Sequence, residues 1–222
     1  MEDILHGKMN IKRLLIIGAG GFGRELLRWV LDLPLLERGW EVGGFLDDNL
    51  SALDGYDVGF GIEGCLLSYI PQQNDLFLCA IGDPVRKLEI CREYKERDAK
   101  FIKFIHPTAI LGRDCTLGEG CILCPGAIVT SDVHLGNFVT MNVYSVVGHD
   151  AIVADGCTLS PHADVNGCAS IGEGVFLGSH AVVLPGATIG DYAIVGAGSV
   201  VLKKVKAGAT VMGVPAKQIA GF

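Results

Sequence analysis

The chain is short of positive charge, of aromatic rings and of long apolar runs. Its 18 lysines and arginines are outnumbered by 25 acids, for a net charge of −7. Such a balance lacks the basic face that general nucleic-acid or anionic-membrane binding requires, so neither partner is expected. Half of the 222 residues are hydrophobic. Yet residues 174–190, as long a stretch free of Asp, Glu, Lys and Arg as any in the chain, are broken by Gly and Pro and never offer the ~18 unbroken apolar residues of a membrane span. The opening residues Met1-Glu2-Asp3-Ile4-Leu5-His6 carry acids and lead into no apolar signal core, and a cytoplasmic location is expected. In that compartment the eight cysteines read as small buried thiols rather than a disulfide framework. Cys121 and Cys124 have zinc-knuckle spacing without a second pair, and a tetrahedral site needs four ligands. No metal is expected.

The aromatics, 7% of the chain, thin out further in its second half. Only Phe138, Tyr144, Phe176 and Tyr192 lie between Pro107 and Lys206, which implies a core too narrow for rings. From Ile105 onward the chain divides into seventeen consecutive hexads, IHPTAI, LGRDCT, LGEGCI and so on to VLKKVK, without an insertion. Every hexad opens with Ile, Leu, Val or Met, and every fifth residue is Ala, Cys, Ser or Val. No charged residue occupies either position. A side-chain period of two puts first and fifth residues on one side of a strand, so the run has an inside and an outside. Flat six-residue units with a small residue limiting the girth indicate a parallel β-helix, each unit burying its face only by stacking on the next.

The first hundred residues have a different pattern. The apolar run 11–17 is followed at once by Gly18-Ala19-Gly20-Gly21-Phe22-Gly23, then by helical spacing of Leu26, Leu27, Val30 and Leu33 up to Pro34. Further strands are expected at 42–48, 75–81 and 101–105, with a helix at 84–97: a small α/β, Rossmann-like domain, residues 1–104, ahead of the β-helix domain, residues 105–222. The loop fits G-x-G-x-x-G, with Gly18, Gly20 and Gly23 at the motif positions and Gly21 beside them. Asp47 and Asp48 stand where a ribose-binding acid is expected. Glycines admit a pyrophosphate to the backbone, and a helix N-terminus offers it unpaired N–H groups. About four strands supply only half of a dinucleotide fold, which favours a nucleotide diphosphate on a sugar over NAD.

Among six histidines, His149 stands out as an outward residue next to a carboxylate, Asp150. An imidazole there can take a proton from an amine or hydroxyl and return it to a departing thiolate. His6 falls in an expected tail, His106 at the domain joint, and His134, His162 and His180 on outward positions. Cys168 is also outward, with no obvious base beside it.

The whole chain resembles the bacterial hexapeptide-repeat nucleotide-sugar acetyltransferases, a family that includes UDP-4-amino-sugar and GDP-perosamine N-acetyltransferases and sialic acid O-acetyltransferase-like proteins. The matching motifs are GAGGFGRE (18–25), FLDD (45–48), AIGDPVRK (80–87), NVYSVVGHD (142–150), IGDYAIVGAGSVV (189–201) and GVPAK (213–217). The resemblance implies a left-handed β-helix, acetyl-CoA as cosubstrate, and a homotrimer with active sites between subunits. It implies His149 as general base, Asp150 as its orienting acid and the Gly167 amide as donor to the acetyl carbonyl. It places Gly18, Gly20, Gly21, Gly23, Asp47 and Asp48 around a nucleotide sugar, and Gly167, Gly178, Gly196, Ala197, Lys203 and Lys217 along acetyl-CoA. Lys204 and Lys206 add positive charge for its phosphates. Thr158 stands where the bacillosamine-type enzyme has a second histidine, and His162 is the nearby substitute. O-acetylation of a sialic acid and a non-catalytic scaffold are the alternative readings.

Overall fold

The computed structural model describes residues 11–34 and 38–219. The expected N-terminal tail with His6 lies outside them. The first layer is a five-stranded parallel sheet in the order β3-β2-β1-β4-β5. Its strands are β1 (Lys12–Ile17), β2 (Trp40–Leu46), β3 (Ile62–Gly64), β4 (Asp75–Cys79) and β5 (Lys100–Phe101), with helices α1 (Gly21–Leu31) after β1 and α2 (Pro84–Glu96) after β4. β1 is central, and its last four residues, Leu14 to Ile17, are fully buried. The chain leaves β1 toward β2 on one side and meets β4 on the other. Such a reversal opens a crevice at the carboxyl ends of the two strands.

β3 was not expected from the sequence, because Ile-Glu-Gly is too short to show a period of two. The single strand expected over 101–105 is two. Lys100–Phe101 ends the sheet, and Phe104–Ile105 opens the solenoid by pairing with Ile122–Leu123.

Twenty short strands, β6 (Phe104–Ile105) to β25 (Lys217–Gln218), form three sheets of eight, six and six strands; all stack as a parallel β-helix except β25, which turns back antiparallel on β24 (Thr210–Met212). Residues 18 apart pair across coils: Ile128 with Val146, Val146 with Asp164, Asp164 with Val182. Inside, Ala, Cys and Val alternate with Leu, Val and Ile in one buried column. In every hexad from Asp114 to Gly198, though not at Thr108 or Lys204, the fourth residue takes a left-handed backbone. It is often a glycine, and Asp114, Asp132, Tyr144, Asp150, His162, Cys168 and His180 adopt it with φ between 55° and 60°. This conformation costs little in Gly or Asp and more in the others.

The register expected for the last hexad is corrected. Thr188 pairs with Lys204 and Ile189 with Val205, a spacing of 16. Val205, expected in a fifth position, takes the place of a first-position residue. Both positions accept valine, so the sequence pattern did not reveal the shorter corner.

α2 ties the two halves together. Asp83 caps it by accepting the Arg86 N–H, and Pro84 fits its first turn. Lys87, only 1% exposed, passes into the solenoid. Its Nζ lies 2.9 Å from Thr158 Oγ1 and 3.1 Å from both Thr140 Oγ1 and the Cys157 carbonyl. Around this contact Arg92 pairs with Glu173 at 2.7 Å, Lys95 with Glu119 at 2.8 Å, and Phe101 meets Phe138 edge-on at 5.0 Å.

Burial holds the Lys87 amine below the ordinary lysine value of 10.5. Lys87→Ala should cost about 2–4 kcal/mol, from a cavity and two threonine hydroxyls left without their partner, since the Cys157 carbonyl keeps the Thr140 N–H. Between its folded value and 10.5, the unfolded chain binds more protons at Lys87 than the folded one. The stability lost in Lys87→Ala should thus be largest above that window and shrink as pH falls through it. Denaturant titrations of both proteins at neutral and alkaline pH measure this.

Candidate functional site

Two strands of adjacent sheets, β13 (Val146–Val147) and β14 (Ile152–Val153), are joined by a corner that carries Gly148, His149 and Asp150. Neighbouring side chains on a strand point apart, but Asp150 sits at φ 58°, and the turn swings its carboxylate back to its neighbour. His149 Nδ1 lies 2.7 Å from Asp150 Oδ2. An ionised carboxylate only accepts, so Nδ1 carries the proton and Nε2 is left as a proton acceptor. Both side chains face solvent, 64% and 59% exposed.

The next coil supplies the floor. Gly167, 18 residues on, lies so close to the imidazole that a Cβ there would stand 2.6 Å from His149 Nε2. Its carbonyl accepts the Gly186 N–H at 3.0 Å, while its own N–H has no protein partner among the described residues. An unpaired amide thus lies against a proton acceptor, the two parts that acyl transfer to an amine or hydroxyl needs. Cys168 follows, and here the sequence expectation is corrected: its Sγ lies within 4.8 Å of ligand atoms of both His149 and Asp150, so a base is beside it. The coil repeat, not chain adjacency, brings them together.

Gly178, Gly196 and Ala197 are on another corner, at the opposite edge of the sheet that carries β13. A Cβ on Gly178 would stand 2.6 Å from the Ala197 amide, and one on Gly196 2.7 Å from the Met212 side chain. Both glycines therefore serve close coil packing, and one chain does not bring them to His149. His162 shares their corner, stacked between Tyr144 at 5.4 Å and His180 at 4.7 Å, away from His149. Thr158, at the position of the missing histidine, is buried and bonded to Lys87. Lys203, Lys204, Lys206 and Lys217 line one groove of about 490 Å³ at the C-terminal end of the solenoid.

In the first domain, Gly18 has φ +95°, and a Cβ on Gly23 would stand 2.0 Å from the Gly18 carbonyl, so both glycines are required. Gly20 caps α1 without a side-chain bond, no acid occupies the first turn, and Gly20 and Gly21 face open space. The N–H groups of the helix N-terminus thus have no side-chain cap, an arrangement that suits an anion. Asp47 braces this loop: Oδ2 accepts the Ala19 N–H at 2.7 Å and Oδ1 the Asn49 N–H at 2.9 Å. Asp48 accepts the Leu66 N–H at 2.9 Å. Sequence reading missed the neighbouring cleft of about 440 Å³, lined by Gly21, Arg24, Arg28 and Tyr56 among others, with Arg24 over the Tyr56 ring at 3.6 Å. The pair Arg24 and Arg28, one turn apart at the start of a helix after a Gly loop, was its available signal.

Comparison with known proteins agrees with this layout. Residues 13–94 match the PglD N-terminal domain model, and 168–203 the bacterial transferase hexapeptide model. PerB from Caulobacter crescentus, solved with CoA and GDP-perosamine, is 30% identical, with a TM-score of 0.85 over 95% of this chain and 98% of that one. The chain belongs to the hexapeptide-repeat nucleotide-sugar acetyltransferase family. As a member of that family it is an acyltransferase. The acetyltransferase domain of PglB from Neisseria gonorrhoeae, solved with acetyl coenzyme A, is 27% identical, with a TM-score of 0.84 over 94% of this chain and 100% of that one. GDP-perosamine N-acetyltransferase of Escherichia coli is 31% identical over 133 residues, a match that spans 59% of this chain and 59% of that protein.

Gly167→Ala tests the corner directly. The added methyl should push the exposed imidazole off its floor while thermal stability changes little, because the atom it meets is the end of a mobile side chain. Loss of the Nδ1 proton resonance of His149 from the NMR spectrum of a folded variant is the expected result.

Proposed function

We propose that the protein is an acetyl-CoA-dependent N-acetyltransferase that acts on the amino group of a nucleotide-linked 4-amino-deoxy sugar. The observation that carries this reading is the His149–Asp150 pair, held at 2.7 Å and set against the unpaired Gly167 amide. The likeness to PerB, solved with CoA and GDP-perosamine, supports the substrate class. The sugar amine attacks the thioester carbonyl directly. His149 Nε2 accepts the amine proton and passes it to the departing CoA thiolate, while Asp150 holds the tautomer and stabilises the imidazolium. The Gly167 N–H donates to the oxyanion as the carbonyl becomes tetrahedral.

Substrate binding is divided between the halves. The Gly18–Gly23 loop and the free N-terminus of α1 receive the diphosphate, with Asp47 and Asp48 shaping that site and the Arg24–Tyr56 cleft beside it. Acetyl-CoA runs past Gly167, Gly178, Gly196 and Ala197, and Lys203 and Lys217 hold its phosphates with Lys204 and Lys206. Because the Gly178–Gly196 corner and the His149 corner are apart on one chain, a neighbouring chain completes each site in a homotrimer. We place the enzyme in the cytoplasm, where both substrates are soluble, and assign 1–104 to the nucleotide sugar and 105–222 to acetyl transfer.

Purified protein mixed with acetyl-CoA and a panel of UDP-, GDP- and dTDP-linked 4-amino sugars should yield one acetylated product by mass spectrometry. His149→Ala should lower its rate about 10²- to 10⁴-fold. Acetylation of a CMP-sialic acid instead would move the reaction to oxygen, and no acetylation of any acceptor would favour a scaffold. Sedimentation should give three times the chain mass; a monomer would sink the intersubunit site.

A further inference from the structure

We propose that His149, Asp150 and Cys168 form a binding site for zinc or a similar thiophilic divalent cation, and that the bound ion shuts off acyl transfer. One imidazole nitrogen, one carboxylate oxygen and Sγ lie within 4.8 Å of one another, and all three side chains are exposed. The arrangement follows from the solenoid. Asp150 and Cys168 are 18 residues apart, occupy the same corner position in successive coils, and share the left-handed backbone with φ 58° and 60°. Their side chains therefore leave the corner in parallel, one coil above the other. The Cys168 N–H also donates to the His149 carbonyl at 2.8 Å, which fixes the thiol-bearing residue beside the imidazole.

The donor set selects the ion. Sulfur, imidazole and carboxylate together suit zinc and its neighbours, whereas magnesium and calcium prefer oxygen alone. Three protein ligands leave a fourth position for water, as in open zinc sites. Asp132, exposed in the same corner position one coil earlier, adds negative charge on the approach. Binding converts the Cys168 thiol to a metal-bound thiolate and releases its proton to solvent. Cys65 and Cys115 are half-buried and the other five cysteines are buried, so Cys168 is the exposed thiol.

The inhibitory consequence rests on the function proposed above: an imidazole whose nitrogen holds a cation cannot accept the amine proton. The binding itself does not depend on that reading. The test begins with the metal-free full-length protein, titrated with zinc by calorimetry and with cobalt(II) by absorption spectroscopy. One ion per chain is expected, with a sulfur-to-cobalt charge-transfer band and no competition from magnesium. Cys168→Ser should weaken binding about tenfold or more and abolish the band. Absence of saturable binding, or equal binding by Cys168→Ser, would overturn the site. In the acetylation assay, zinc should inhibit the wild type reversibly on chelation, while Cys168→Ser keeps the metal-free rate and loses the sensitivity. Zinc binding by a protein that acetylates nothing would sink the functional reading and leave the site standing.

Discussion

Coil-to-coil hydrogen bonding at the ~4.8 Å spacing of neighbouring strands governs this molecule. A β-helix coil cannot bury its inner face alone, so each coil must lie directly on the next and repeat its corner geometry. That requirement explains the Ala and Cys residues inside, which leave no room for rings, and the left-handed residues that turn each corner. It also explains the site. The same stacking sets His149 against Gly167 and Asp150 over Cys168, although the members of each pair are 18 residues apart in the chain.

A second constraint acts at the joint between halves. A buried amine is costly to desolvate, and Lys87 is offset by two threonine hydroxyls and a carbonyl rather than by a carboxylate. Two of these partners, Thr140 and Thr158, are in β12 (Thr140–Met141) and β15 (Thr158–Leu159), which pair with each other. The lysine therefore reads the register of two successive coils at once, and a slip of one coil would put Ile122 or Phe176 in place of one of its threonines. Such a contact contributes more to the orientation of the α/β domain than to net stability. Arg92 with Glu173, one coil further along, fixes the same helix at the surface.

The hexads made the solenoid legible because first and fifth positions tolerate so few residue types. The Gly loop and its helix were equally plain. The short β3 and the split at 101–105 were hidden, since two or three residues carry no period, and the contracted last corner was hidden because valine satisfies either register. His149 and Asp150 could be singled out by chemistry, and their contact needed only the bend at Asp150. Lys87 could not be found, because a lysine on a helix reads as solvated until its neighbours are known. Asp47 was legible as an important carboxylate, but its two bonds to loop amides depend on how β2 meets the Gly loop. The role of Cys168 required knowing that a residue 18 positions earlier is its neighbour.

The charge distribution gives the acidic composition a different meaning from the one it has in bulk. A net charge of −7 repels polyanions at a distance, yet four lysines gather in one groove at the solenoid's end, and Arg24 and Arg28 flank the helix of the Gly loop. At physiological salt, charges are screened beyond about 8 Å, so each cluster acts on a ligand that is already close and contributes little to attraction from afar. The proposed substrates both carry diphosphates remote from their reacting ends. In the proposal their phosphates are neutralised in the two basic clusters while the amine and the thioester meet at the His149 corner, where Asp132 and Asp150 form an acidic column. In the proposed mechanism an amine that arrives protonated is drawn to those carboxylates, loses one proton to solvent, and gives the second to the imidazole as it attacks. The same local negative charge that assists this step makes the corner attractive to a divalent cation once a thiolate is placed next to it.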